Sequence, residues 1–318
     1  MTWMPFLCLA AGFFIGTRSL AERTLKRIDV IINIALVVLM LTIGMNIGTN
    51  PSVMSNLHSI GLNCLAISLC AIAFSVLFTA ITEKTVLPLE KLRDKLSAEN
   101  ININSEIDIS QEEKDKNSLL IWIMPVSIVV GVLLGYLVMP HALLFILDYL
   151  LFGSLVILYV SVGISLGSNR KVFRYIKILG FRVIYISIAI FLGSIAGGFA
   201  AGTIFHVPLH TAVMSASGMS YYSLTGAYMT RVYGIEAGTY GFVVNVMREF
   251  FTVLLLPLLI RISTGSPIAG GAAGNMDTML VPVTKFVGVE LGLVTLITGA
   301  ILTFAVPFIL PVLYGLFL

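Results

Sequence analysis

The chain has 318 residues, of which 58% are hydrophobic and only 11% are charged, and its formal net charge is +3. The mean hydropathy of +1.01 excludes a soluble globular domain, because too few polar residues remain to face water on most elements. The apolar residues form long runs and not the short alternating strands of a membrane barrel, so they predict an all-α polytopic membrane protein with the lipid bilayer as its partner. A net charge this small gives no basis for nucleic-acid binding.

Eight apolar runs are predicted to be transmembrane helices, since most are close to the roughly 20 residues that cross a bilayer core. The runs are 3–17, 28–48, 60–82, 119–138, 143–167, 175–205, 238–260 and 286–316. Two polar, glycine-rich stretches, 207–235 and 262–285, are predicted to re-enter or break rather than span. For 207–235 a complete span is the alternative, and it would move the C-terminus to the opposite side.

The basic residues predict the orientation. Lys and Arg are concentrated after the first run, within 83–118 and after residue 167, whereas the connections 49–59 and 139–142 contain none. Because positively charged loops face the cytoplasm, this alternation places the N-terminus outside, and eight spans place the C-terminus outside as well.

These patterns divide the chain into four parts. Residues 1–82 and 119–205 each contain three predicted spans, and residues 83–118 form a charged cytoplasmic loop of mixed sign. Residues 206–318 contain the two predicted re-entrant segments and two further helices, and we expect the substrate and ion site there.

The two three-helix parts are predicted to be copies of one repeat. The stretch from Gly44 to Asn50 resembles the stretch from Gly163 to Asn169, which lies 119 residues further along. The same offset, without a gap, pairs Gly12 with Gly131, Gly16 with Gly135, Asp29 with Asp148, and Gly61 with Gly180. Ordinary helix-packing glycines are the alternative explanation.

The charge pattern indicates that the second copy is inverted. The basic loop follows the first helix of copy one but the second helix of copy two, so the copies enter the membrane from opposite sides, as in many secondary transporters. Several glycines are predicted hinge or close-approach positions. They are Gly44, Gly48, Gly163, Gly167, Gly218 and Gly274.

Glu249 is the first candidate for transport chemistry. It lies within the apolar run 238–260, and a carboxylate near the bilayer centre costs roughly 2.5–3.5 kcal/mol, so such residues usually line pathways or proton relays. The structural alternative is a buried ion pair with Arg248. Neighbours on a helix point about 100° apart, so Arg248 is expected to pair with another element, and Asp277 is the obvious candidate.

Asp277 is the second candidate, within the glycine-rich sequence Gly274-Asn275-Met276-Asp277-Thr278. A turn with a locally bonded Asp is the alternative. The candidate substrate-binding side chains are Asn245, Arg248, Asn275, Ser217, Ser220, Tyr221, Tyr222, Ser223 and Thr225, although hydroxyls of this kind also bond their own helix. The cysteines and histidines show no metal-ligand spacing and no catalytic constellation is present, so the sequence predicts neither an enzyme nor a metal or cofactor site.

The last third of the chain resembles the LysO-type lysine exporters of bacteria. The resemblance lies in the stretch from Ser215 to Gly226, in Asn245-Val-Met-Arg-Glu249 with Pro257 and Arg261, and in Gly274-Asn-Met-Asp277 with Leu280-Val-Pro282. It is specific there and looser in the first two thirds, and the 83–118 loop is longer and more charged than the family pattern.

The resemblance implies a transporter of the bacterial inner membrane that exports L-lysine and its analogue thialysine. It also implies coupling to protons through Glu249 and Asp277, which match the family's acidic positions. Sodium is the alternative coupling ion, and the sequence leaves a homodimer open. The competing classes are a transporter of another amino acid or organic ion, a membrane enzyme such as an intramembrane aspartyl protease, and a scaffold protein.

Overall fold

The computed structural model describes residues 4–18, 22–90, 92–93, 126–138, 144–168 and 181–317. Every regular element in these ranges is a helix, which confirms the predicted all-α class. We number the α-helices as α1 Met4–Thr17, α2 Glu22–Gly48, α3 Pro51–Ser55, α4 Leu57–Thr85, α5 Val126–Leu137, α6 Leu144–Ser168, α7 Ile184–Ile204, α8 Leu209–Ala216, α9 Tyr222–Tyr233, α10 Ile235–Ile262, α11 Ser266–Gly271, α12 Leu280–Val287 and α13 Gly292–Leu316.

Six helical stretches in the described part of the chain are long and apolar enough to cross a membrane. They are Val30–Gly48, Leu57–Thr85, Phe145–Ile164, Phe181–Ile204, Ile235–Ile262 and Gly292–Leu316. The two other predicted spans correspond to α1 and α5, which are apolar but shorter. The start of the span predicted at 119 lies outside the described residues.

Most of the predicted charged loop at 83–118 also lies outside the described residues. At its start, α4 continues to Thr85, slightly beyond the predicted end of the span at residue 82. Here the Glu83 carboxylate accepts a hydrogen bond of 3.0 Å from the backbone N–H of Gly265, directly before α11. An acidic group is favourable at that position, because the N-terminal end of a helix carries a partial positive charge.

The predicted glycines lie where helix backbones touch. A methyl group on Gly12 would lie 3.0 Å from the Cα atom of Gly163, and one on Gly44 would lie 2.9 Å from the Cα atom of Gly131. Helix α1 therefore packs on α6, and α2 packs on α5, at a distance that only glycine permits.

Both of these helix pairs are parallel. In the first pair Gly12 faces Val160 and Gly16 faces Ile164, so residue numbers rise together along α1 and α6. In the second pair Gly44 faces Ile128 and Gly48 faces Val132, so α2 and α5 also run in the same direction.

Helices α4 and α7 pack antiparallel to each other. Gly193 faces Ser75 and Gly197 faces Ala71, so residue numbers run in opposite directions along the contact. At the crossing, the hydroxyl oxygens of Ser75 and Ser194 lie 3.1 Å apart. These serines are themselves separated by 119 residues in the sequence.

Two interruptions of helical structure shape the last third of the chain. Break one, residues 217–221, separates α8 from α9, so 207–235 does not form one continuous helix. Break two, residues 272–279, lies between α11 and α12 and begins with a short 3-10 helix. The two breaks contact each other, because the backbone N–H of Ala273 donates a hydrogen bond of 2.9 Å to the carbonyl oxygen of Met219.

Both breaks contain backbone conformations that end a helix. Met219 and Ser220 have φ angles of 50° and 78°, and Ala272 has a φ of 48°. L-residues adopt this left-handed region only rarely, so these positions interrupt α-helical geometry. Gly218 must also be glycine, since a methyl group there would lie 2.4 Å from the Thr225 hydroxyl.

Candidate functional site

A cavity of about 280 Å³ lies where the two breaks meet the middle of α10. Helices α2, α6 and α13 complete its wall. Its lining residues are Ile32, Leu36, Leu158, Ser161, Val162, Ser220, Tyr221, Tyr222, Ser223, Glu249, Ala273, Gly274, Met276, Asp277, Thr278, Thr303 and Phe304. The cavity therefore combines an apolar wall with a small number of polar groups, as small-molecule sites usually do.

The two predicted carboxyl groups are linked through one hydroxyl. The Thr278 hydroxyl oxygen lies 3.1 Å from Oε1 of Glu249 and 3.3 Å from Oδ1 of Asp277. The backbone N–H of Thr278 also donates to Oδ1 of Asp277. A hydroxyl has one hydrogen to donate, so Thr278 can donate a full hydrogen bond to only one of the two carboxyl groups unless the other is protonated.

The two carboxyl groups differ in exposure. Glu249 is half-buried, whereas Asp277 is exposed although it lines the same cavity. Gly274 brings the pair together, because a methyl group there would lie 2.8 Å from Oε1 of Glu249.

Four further predicted binding residues line the cavity. They are Ser220, Tyr221, Tyr222 and Ser223, from break one and the start of α9. The Ser220 hydroxyl is buried and has no hydrogen-bond partner in the described part of the chain. The Tyr222 ring is held edge-on by Phe242, with 5.5 Å between ring centroids.

Asn245 does not line the cavity, and its amide instead holds break one in place. Its Nδ2 donates to the carbonyl oxygens of Ser215 at 2.9 Å and Gly241 at 2.7 Å. Its Oδ1 accepts from the backbone N–H of Ser220 at 2.7 Å. Because these bonds satisfy backbone groups that the break exposes, Asn245 positions the cavity wall without contacting what the cavity holds.

Three other predicted binding residues are also buried away from the cavity. Thr225 donates to the carbonyl oxygen of Tyr221 at 2.7 Å, which is the local bonding that the sequence left open. Asn275 donates to the carbonyl oxygen of Ile268 at 2.7 Å and so braces break two from within. Ser217 is wholly buried and, like these two, is absent from the cavity wall.

Arg248 does not form the expected ion pair with Asp277. Its side chain is only 1% exposed, and its guanidinium donates to the Ser194 hydroxyl at 2.8 Å and to the Ser75 hydroxyl at 3.1 Å. It also donates to the carbonyl oxygens of Ala269 at 3.1 Å and Gly270 at 3.2 Å. Those carbonyls belong to the last turn of α11, where the partial negative charge of the helix end favours a cation.

The serines that bind Arg248 were not among the predicted residues. A detectable signal existed, since Ser75 and Ser194 are 119 residues apart, the offset that pairs the glycines of the two copies. Thr278 was also missed as the link between the carboxyl groups. The walls supplied by α2 and α6 could not be found either, because the sequence places all polar candidates in the last third of the chain.

No group of three His, Cys, Asp or Glu side chains within the described ranges is arranged to hold a metal ion. Apolar helices of spanning length around a cavity with a few polar groups, and two broken helices at its wall, are the arrangement typical of multi-pass membrane transporters.

The chain belongs to the family of lysine exporters described as Lysine exporter LysO, whose model matches residues 6–96 and 126–314. This confirms the resemblance seen in the sequence. The unmatched interval overlaps the charged loop, which is where the sequence departs from the family pattern.

Two curated relatives are described as a lysine exporter and a putative lysine exporter. The chain is 29% identical over 157 residues to Lysine exporter LysO of Escherichia coli (strain K12), a match that covers 49% of this chain and 52% of that protein. It is 26% identical over 190 residues to a putative lysine exporter of Haemophilus influenzae, covering 58% of this chain and 93% of that protein. The chain thus spans about half the length of the first relative. No solved structure matches the chain.

Proposed function

We propose that this protein exports L-lysine, and the analogue thialysine, from the cytoplasm across the bacterial inner membrane in exchange for protons. The observation that carries the proposal is the pair of carboxyl groups, Glu249 and Asp277, joined through the Thr278 hydroxyl at one cavity. Membership of the lysine exporter family supports lysine as the substrate.

The electrical work of export favours an exchange mechanism. Lysine carries a net positive charge, and moving one charge outward against 100 mV costs about 2.3 kcal/mol. Inward movement of at least one cation for each lysine cancels that cost. A carboxyl group that holds either an ammonium or a proton, but not both, links the two movements.

The cavity has the chemistry that such a competition needs. An ammonium group has three hydrogens to donate, so it can bond both carboxylates at once and replace the single proton shared through Thr278. The hydroxyls of Ser220 and Ser223 lie on the same wall and can accept further hydrogen bonds from the amino acid. Protonation of the pair removes the charge that holds the ammonium and so favours release.

The alternative of a cation-coupled transporter for another amino acid or organic ion retains the same architecture. An organic anion would need a free cationic group at the cavity, and Arg248 is instead bonded to two serines and two carbonyl groups away from it. The charged groups that line the cavity are acidic, which favours a cationic substrate.

We also propose that the two three-helix copies are related by an inverted repeat with both termini outside, and that all eight apolar helices span. The glycine contacts support the repeat because they are reciprocal. The carbonyl oxygen of Val160 lies against Gly12, and that of Leu41, its equivalent 119 residues earlier, lies against Gly131. A two-fold relation produces such reciprocal contacts.

The direction of the helices supports inversion. Helix α1 is parallel to α6 and α2 is parallel to α5, so the first helix of one copy runs with the second helix of the other. Because consecutive spans alternate in direction, the first helices of the two copies then run in opposite directions. Ser75 and Ser194 meet where a two-fold axis in the membrane plane would pass.

The experiment that tests the transport proposal uses purified protein in proteoliposomes. Glu249→Gln and Asp277→Asn should each abolish lysine efflux driven by a pH gradient, while the variants still insert and unfold at the wild-type temperature. Glu236→Gln is the matched control, because Glu236 lies on the same helix but is exposed outside the cavity, and it should transport normally. Normal lysine efflux by both carboxyl variants would exclude the mechanism, and efflux driven by a sodium gradient in place of a pH gradient would replace the proton by sodium.

A further inference from the structure

Break one ends at the cavity wall with a hydroxyl that has no acceptor or donor. Ser220 lines the cavity and is 3% exposed, and its hydroxyl has no hydrogen-bond partner among the described residues. No other cavity-lining residue in the described part of the chain has a buried side-chain oxygen or nitrogen that lacks a partner. Buried polar groups without a partner are rare and costly, so Ser220 points to a polar ligand at this place on the wall.

The start of α9 supplies two further donors directly after Ser220. The first hydrogen bond within α9 runs from the backbone N–H of Thr225 to the carbonyl oxygen of Tyr221, at 3.2 Å. The N–H groups of Ser223 and Leu224 come before it, so the helix itself gives them no acceptor. No side chain caps this end of the helix, although Ser223 is 4% exposed and Leu224 is 0% exposed. Because buried backbone donors normally have partners, this end of α9 is prepared for an acceptor.

The two breaks differ in the charge that they bring to a helix start. Asp277 belongs to break two and lies two residues before Met279, which directly precedes α12. A carboxylate is favourable there, because the N-terminal end of a helix carries a partial positive charge. Break one contains no acidic residue, and none follows in the first turn of α9. The partial positive charge at the start of α9 therefore has no carboxylate from its own segment.

We infer that the start of α9 binds the α-carboxylate of the transported amino acid. Its donors are the Ser220 hydroxyl and the backbone N–H groups of Ser223 and Leu224, and we call these three groups the carboxylate site. A carboxylate accepts hydrogen bonds and has none to donate, which matches a site made of donors. The starts of broken helices bind substrate carboxylates in this way in other membrane transporters. Of the two roles open to the Ser220 hydroxyl, the inference assigns it the donor role.

The rest of the cavity wall is unfavourable for a carboxylate. The charged side chains that line it among the described residues, Glu249 and Asp277, are both acidic and repel one. The Thr278 hydroxyl already lies within hydrogen-bond distance of both, and the Thr303 hydroxyl donates to the carbonyl oxygen of Ala273 at 3.1 Å. The carboxylate site and the acidic pair thus divide the negative and positive charges of lysine between them. The inference rests on the proposed export of lysine, and it adds that the substrate must be an amino acid and not simply an amine.

The test compares lysine with cadaverine, the diamine that keeps both amino groups of lysine and lacks its carboxylate. Binding of each compound to the purified protein in detergent is measured by titration calorimetry. The wild type should bind lysine at least about tenfold more tightly than cadaverine, the difference expected for one hydrogen bond to a charged group. Ser220→Ala should weaken lysine binding about tenfold and leave cadaverine binding unchanged.

Ser217→Ala is the matched control in the same break. The Ser217 hydroxyl is also buried without a partner in the described part of the chain, but Ser217 is absent from the cavity wall. This variant should bind both compounds like the wild type. Ser220→Gly is a second variant with the same expected loss for lysine. Glycine adopts the φ of 78° at this position without strain, so its loss would come from the missing hydroxyl.

The outcomes separate the carboxylate site from the function on which it rests. A wild-type protein that does not bind lysine contradicts lysine export itself. Equal affinity of the wild type for lysine and cadaverine contradicts only the carboxylate site, and so does a Ser220→Ala variant that binds lysine like the wild type. An equal loss for both compounds also contradicts it, because it assigns the Ser220 hydroxyl to an amino group. If cadaverine binding is too weak to measure in the wild type, the need for a carboxylate is met, and the lysine affinities of the Ser220 and Ser217 variants decide.

Discussion

Arg248 and Glu249 are neighbours on α10, yet their surroundings are opposite. The Arg248 side chain is 1% exposed and is held by hydrogen bonds to neutral groups on α4, α7 and α11. Glu249 lines a cavity and shares a single hydroxyl with a second carboxyl group. Arg248 therefore has only fixed partners, as a structural role requires, whereas the partner of Glu249 is exchangeable under the proposed function.

The largest expected effect is the loss of the Arg248 contacts. Arg248→Met leaves the carbonyl groups of Ala269 and Gly270 without their donor in a buried position, and hydrogen bonds to charged groups are worth about 1.5–3 kcal/mol each. We expect the free energy of unfolding to fall by about 3 kcal/mol or more, measured by denaturant unfolding in detergent.

Glu249→Gln tests the neighbouring residue in the same way. It keeps a side chain of the same size and a hydrogen-bond acceptor for Thr278, so the free energy of unfolding should change by less than about 1 kcal/mol while transport is lost. If Arg248→Met were as stable as the wild type, the proposed difference between the two neighbours would be wrong. The free energy of unfolding of Arg248→Lys should lie between those of Arg248→Met and the wild type, because lysine keeps the charge and loses the forked geometry of the guanidinium.

A smaller effect is expected at Thr278, whose hydroxyl couples the carboxyl pair. Thr278→Val keeps the shape of the side chain and removes the shared hydrogen bond, which is worth about 1.5 kcal/mol because its acceptors can be charged. Proton-coupled lysine flux should fall about tenfold, within the range set by one hydrogen bond to a charged group. Thr278→Ser, which keeps the hydroxyl, is the control and should restore the flux. Equal flux in the Val and Ser variants would mean that the two carboxyl groups act separately.

Much of the cavity was predictable because charge in an apolar helix is costly and therefore rare. Glu249 was selected by that argument, whereas Asp277, Tyr221 and Tyr222 were selected as polar groups in the glycine-rich segments of an otherwise apolar chain. The 119-residue offset predicted a repeat, and the glycines that it pairs on α1, α2, α5 and α6 lie at contacts between these helices. Periodicity gives the face of a helix on which a residue lies, but not the element that packs there.

For this reason the hydrogen-bond partners of the polar side chains beside the cavity could not be predicted. Asn245 was a binding candidate, and its amide instead bonds the backbone of break one. Arg248 was assigned an acidic partner because a buried cation is expected to have one. Its actual partners are serines on two helices far away in sequence and a helix end, and serines in apolar helices are too common to be selected individually.

The smallest expected effect concerns the two serines that Arg248 joins, and it tests whether the two copies exchange roles. Ser75 donates to the carbonyl oxygen of Ile190 at 3.1 Å, so the hydrogen between the two hydroxyls comes from Ser194. If the copies are equivalent, the other access state has Ser194 donating to the carbonyl oxygen of Ala71, 119 residues before Ile190.

Either change removes the bond between the two serines from both states, but Ser75→Ala removes the bond to the carbonyl oxygen of Ile190 only from the state described here, and Ser194→Ala removes the bond to Ala71 only from the other state. That one bond is worth about 1 kcal/mol, so the populations should shift about fivefold in opposite directions. The measurement is the labelling rate of a single cysteine at Ser161→Cys on the cavity wall, with Cys8, Cys64 and Cys70 replaced by alanine.

Ser187→Ala on α7 is the control, since that buried hydroxyl has no hydrogen-bond partner in the described part of the chain, and it should leave the labelling rate unchanged. If both serine variants shifted the labelling rate in the same direction, the two serines would stabilise the same state. That result would contradict the equivalence of the two copies.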